Sequence, residues 1–231
     1  MPRRPTLFFA AIAVCTTAPV AAQQKRDLAA YLMNDRAAEI ALARSAAPKQ
    51  IADSAAVLVL TKSGYVESAH GTNGFTCLVQ RSFLAPFGDS SFWDPAIRGP
   101  MCMNPPAVRT VFPEMRRRSE WIMAGVSMDE IVKRTRQAYA SHTFPRPAAG
   151  SMGYMLSPDQ HLGDVDPHWA PHLMLWFDKS LPPAAWGLSD SNNTIIDGSA
   201  GDPNSPVRLL IIPVRRWSDG KSALPNDAKF R

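Results

Sequence analysis

Proline restricts this chain more than any other residue type: 21 of its 231 residues are proline, against 13 glycines. Each proline fixes φ, removes a backbone donor and is excluded from helix interiors and central strand positions. The chain is therefore expected to fold as short elements joined by fixed turns. The constraint is sharpest at Pro167 and Pro171, which bracket His168 and forbid a helix through the histidine-rich stretch around it. With 45% hydrophobic and 19% charged residues and only three cysteines, the chain is neither a disordered tail nor a disulfide-dense mini-domain. Its length suffices for one domain with a full core.

The N-terminus sets Arg3 and Arg4 before an apolar stretch from Leu7 to Val14, then small residues ending in Val20-Ala21-Ala22. That is the charge, core and cleavage layout of a secretory signal. Residues 1–22 are expected to be a signal peptide and residues 23–231 one globular domain, periplasmic or secreted. Cys15 follows Val14, where a lipoprotein signal needs a small residue, so lipid attachment is not expected. No later segment approaches the roughly 20 apolar residues of a membrane span, so no transmembrane segment is expected after cleavage. The chain carries 25 basic and 20 acidic residues, and losing Arg3 and Arg4 leaves an excess of three. That excess does not call for nucleic acid as a partner.

Two cysteines then remain, Cys77 and Cys102. In an oxidising compartment they are expected to form a disulfide, contributing about 3 kcal/mol on the loop-entropy model. The alternative is a pair of buried thiols acting as small hydrophobes.

Residues 27 to 45 are rich in Ala, Leu, Glu and Arg at helical spacing and predict a first helix. Ala56 to Thr61, Gly64 to Ala69 and Phe75 to Arg81 predict three strands of a β-meander, with Asn73-Gly74 as a tight turn. In the third, Phe75, Cys77 and Val79 share one face. Pro86 to Pro106 lacks a clean period and reads as a long packed loop. Val108 to Ala124 reads as a helix despite Pro113. Ser127-Met128-Asp129-Glu130 is a capping box opening a second one that runs to about Ser141. Strands are expected at Gly153 to Ser157, Pro171 to Phe177 and Val207 to Trp217, the last interrupted at Pro213. The sum is a single α+β domain: an antiparallel β-sheet of about five or six strands covered by helices, like GAF, PAS or profilin-like folds by analogy.

The densest chemical cluster is His161, Asp164, Asp166, His168 and His172. His161, His168 and His172 are candidate ligands for a divalent metal, since neutral imidazole binds zinc-like ions. In an extended strand, His168 and His172 would lie about 13 Å apart, too far for one ion without a bend. The bland alternative is histidines that cap a strand or bond within the core. On the strand after Pro171, His172, Met174 and Trp176 share one face and Leu173, Leu175 and Phe177 the other, and both faces read as buried. A pocket framed by Trp93, Met103, His168, His172 and Trp176 would suit a small molecule. Arg116 to Arg118, with Lys133, Arg134 and Arg136, form a basic concentration, open to an anionic partner or simply solvated. Hydrolase elbows, phosphate loops and dinucleotide fingerprints are missing.

Phe92-Trp93-Asp94-Pro95, Asn104-Pro105-Pro106, His168-Trp169-Ala170-Pro171-His172 and Trp217-Ser218-Asp219-Gly220, with Ala41 to Leu60 and Gly74 to Cys77, resemble a family of exported bacterial proteins to which no activity is assigned. The resemblance implies export and a single domain, and it brings no catalyst, ligand or fold. Three functions stay open at this level. First is a ligand-binding domain; second, a metal-assisted or histidine-dependent enzyme using His168 and His172; third, an envelope interaction protein using the basic helices.

Overall fold

The computed structural model describes residues 27–163, 169–180, 182–188, 195–198 and 205–223. The expected signal peptide, Asp164, Asp166 and His168 lie outside them. The described residues form an eight-stranded sheet with helices on its two faces. The strands are β1 (Ala56–Thr61), β2 (Gly64–Ala69), β3 (Thr76–Gln80), β4 (Gly99–Met103), β5 (Met152–Met155), β6 (His172–Asp178), β7 (Ile196–Asp197) and β8 (Val207–Pro213). Their order across the sheet is β2-β1-β3-β4-β5-β6-β8-β7.

The α+β class holds, but two finer expectations are corrected. The sheet has eight strands, not five or six, and it is mixed, because β1 and β3 run parallel. The first three strands are therefore not a meander. After the β1–β2 hairpin the chain passes around the start of β1 and enters the sheet on its far side. Asn73 fixes this path. Its backbone N–H and that of Thr72 donate to Ser54 O, its Nδ2 donates to Ile51 O, and its Oδ1 accepts from Phe75 N. Gly71 passes so close to Ala56 that a Cβ would fall 2.0 Å from the Ala56 nitrogen. The Asn-Gly pair thus wraps a strand end instead of closing a hairpin.

The expected loop from Pro86 to Pro106 contains β4, a central strand with all five residues buried. Burial on both faces erases the alternation that would have marked it. The first helix also divides. Asp27 caps a 3₁₀ turn at Leu28–Tyr31, and Asp35, accepting from Ala38 N, caps a separate helix α1 (Arg36–Arg44). A short α2 (Lys49–Ala52) follows Pro48. Likewise Val108 to Ala124 splits into α3 (Pro105–Thr110) and α4 (Phe112–Met123), since Pro113 belongs in a first turn. Helix α5 (Met128–Ala140) begins as expected, with Ser127 Oγ accepting from Glu130 N.

Helix α1 packs on β1, β3 and β4, and its small residues let it lie close. Ala43, with Ala46 and Ala47 just beyond the helix end, clusters with Val57, Cys77, Val79 and Cys102 there. Cys77 and Cys102 face each other across β3 and β4, with Cα atoms 3.9 Å apart, and are joined by a disulfide. Helix α1 also brings a buried ion pair to the end of β3: Arg81 Nη2 meets Glu39 Oε1 at 2.7 Å, both side chains at most 2% exposed. The same guanidinium donates to the carbonyls of Tyr31 and Val79, and Glu39 Oε1 also accepts from Leu60 N. Helices α3 to α5 lie against the opposite face, over a core that includes Leu78, Met101, Met103, Met115 and Trp176. No helix among the described residues is long and apolar enough to cross a membrane.

Candidate functional site

Antiparallel register decides what the second face presents. Met155 pairs with His172, Met174 with Ile211, and Trp176 with Leu209, so these side chains project together. On β6 the alternation is clear: His172, Met174 and Trp176 are buried, whereas Leu173, Leu175 and Phe177 are only half-buried, short of the expected burial of both faces. Between this floor and the side of α4 and α5 is a cavity of about 310 Å³. Its size falls at the lower end of small-molecule sites.

Trp176 can lie in the floor because Gly153 on β5, which pairs with Met174, has no side chain where the indole passes. A Cβ on Gly153 would come within 2.9 Å of the indole Cη2. At the strand entrance His172 is 3% exposed. Its Nδ1 lies 2.8 Å from Ala170 O. A carbonyl only accepts, so Nδ1 carries the hydrogen, and in the neutral ring Nε2 offers a lone pair. Burial lowers the imidazole pKa, against the opposing effect of the Ala170 bond. The segment before it is held by Gln160, whose Nε2 donates to Trp169 O, and by Pro171 O, which accepts from Val214 N. The Trp169 ring meets the imidazole edge-on at 5.8 Å.

The helical wall is polar but balanced. Arg118 and Glu114, 9% and 12% exposed, form an ion pair on consecutive turns of α4. Arg118 also donates to Ala85 O and lies over the Phe87 ring at 4.1 Å. From α5, Thr135 and Tyr139 face the same space one turn apart. Burial, then the nearby Glu114 charge, pushes the Tyr139 pKa up, so it stays a neutral phenol. Two buried polar atoms of the lining, Gln80 Oε1 and Thr135 Oγ1, have no hydrogen-bond partner among the described residues. Such orphans cost free energy unless something satisfies them. The two large apolar side chains exposed among the described residues, Trp169 at 37% and Ile196 at 40%, both line this cavity.

Of the residues singled out by sequence, the structure places His172 and Trp176 in the lining. Trp93 is elsewhere, edge-on to Phe92 at 4.7 Å with its carbonyl accepting from the Tyr31 hydroxyl. Met103 is wholly buried in the core. His161 pairs through its backbone with Arg98. Among the described residues no three His, Cys, Asp or Glu side chains come together as a metal site. The three arginines of α4 do not act as one patch. Arg116 and Arg117 both pair with Glu120, and Arg118 turns inward. Sequence reading missed Gln80, Thr135 and Tyr139. Only the i, i+4 spacing of Thr135 and Tyr139 on a capped helix signalled a shared face. Comparison with protein-family models, curated proteins and solved structures finds no match for this chain.

Proposed function

We propose that this chain is an exported ligand-binding domain that holds a small, largely apolar molecule between α4/α5 and the β6–β8 floor. The observation that carries the reading is the pairing of an open apolar cavity with two lining residues, Gln80 and Thr135, that each hold a buried polar atom without a partner among the described residues. A core that was merely badly packed would strand apolar surface alone. Here Trp169 and Ile196 extend that surface to the outside, as a mouth would. Export is supported by the Cys77–Cys102 bridge, because such bonds persist in oxidising compartments. The metal-assisted reading has weaker support, since the described residues bring His172 to the cavity without companion ligands.

Thermal unfolding with a panel of small aromatic and alicyclic compounds tests this. A ligand at a hundredfold excess over its Kd adds about 2.7 kcal/mol, and Met174→Trp, which fills the cavity, should abolish that gain. If no compound stabilises the protein, or Met174→Trp leaves the gain intact, the reading fails.

A further inference from the structure

The polar groups facing the cavity also specify what kind of polar group its occupant carries. This step rests on the cavity being a ligand site. His172 presents an acceptor there, because its only hydrogen sits on Nδ1 and is used by Ala170. The internal charges cancel: Glu114 is neutralised by Arg118, whose other bonds go to Ala85. A ligand carboxylate at that depth would meet a lone pair and, among the described residues, no free cation. A ligand ammonium would find Glu114 already engaged, and the other lining carboxylate, Asp89, is exposed at the water-facing edge. Arg136 lines the cavity but is exposed, so it meets an anion only at the water-facing edge.

We infer that the occupant is an uncharged alcohol or phenol on an apolar ring frame, whose hydroxyl donates to Nε2 of His172 while its rings lie on Met174 and Trp176. A hydroxyl suits such a site because it supplies the missing donor at far smaller desolvation cost than an ion.

Calorimetry with four probes of one shape tests this: 2-naphthol, 2-methoxynaphthalene, 2-naphthoate and 2-naphthylmethylammonium. The expected result is 2-naphthol binding about tenfold more tightly than its methyl ether, the worth of one good hydrogen bond. The two ions should bind more weakly still. His172→Asn can keep a donor to Ala170 while losing the distal nitrogen. It should remove the tenfold preference of the naphthol over its methyl ether. Equal binding of naphthol and ether to the wild-type protein would overturn the inference while leaving the cavity reading intact. So would tightest binding by 2-naphthoate, which would assign recognition to Arg136, or by the ammonium, which would assign it to Glu114. Binding by none of the four, with no thermal stabilisation by the wider panel, would defeat the cavity reading itself.

Discussion

The two faces of one sheet are built differently. Under α1, alanines, valines and the bridged cysteines pack closely, and the Glu39–Arg81 ion pair is held by bonds to Leu60, Tyr31 and Val79, although Arg44 Nε is left without a partner among the described residues. Under α4 and α5, methionines and tryptophan leave a cavity, two lining residues hold polar atoms without a partner among the described residues, and two large apolar side chains reach solvent. Small residues permit close approach, whereas long flexible ones against a helix pair leave room. On the proposed reading, the contrast separates the part that holds the fold from the part that binds.

The strongest way to break the contrast is to damage the closed face. Glu39→Ala leaves Arg81 charged, buried and unpaired, and should cost about 3–5 kcal/mol by denaturant unfolding. A loss below 1 kcal/mol would mean that water reaches Arg81. Next, replacing Cys77 and Cys102 together by alanine should cost about 3 kcal/mol from a bridge spanning a sequence separation of 25, without altering probe binding. On the open face, Gly153→Ala overpacks the floor beneath Trp176. It should cost about 1–3 kcal/mol and shift the indole fluorescence, with weaker ligand binding as the discriminating readout. The smallest effect concerns pH. His172 is held neutral by burial, with its pKa below that of the unfolded chain. Below about pH 6.5 the unfolded chain therefore takes up a proton that the folded one resists, and stability falls. His172→Asn should flatten that acid-side slope, and an unchanged slope would place its origin elsewhere.

How much of this was legible in the sequence follows from where periodicity survives. The β1–β2 hairpin and α5 were readable because Ala56–Thr61 is a short apolar run that Gly64 cuts off and a capping box is local chemistry. Strand β4 was not, since Gly99, Pro100 and three buried residues carry no period. The parallel β1–β3 pair depends on where Asn73 bonds, and that is a tertiary fact. In the candidate site, the shared face of His172, Met174 and Trp176 followed from alternation. Gln80 and Tyr139 reach the same space from elements distant in the chain, so no local spacing could pair them with His172. Glu39 and Arg81 look like ordinary surface charges in sequence, and only docking of α1 buries them.

That pair has a further consequence for how the molecule comes apart. Helix α1 cannot lift away from β1 and β3 without exposing a guanidinium cage to partial hydration, so local fraying there is suppressed. Amides of α1, β1 and β3 should accordingly exchange with deuterium as one slow cooperative block.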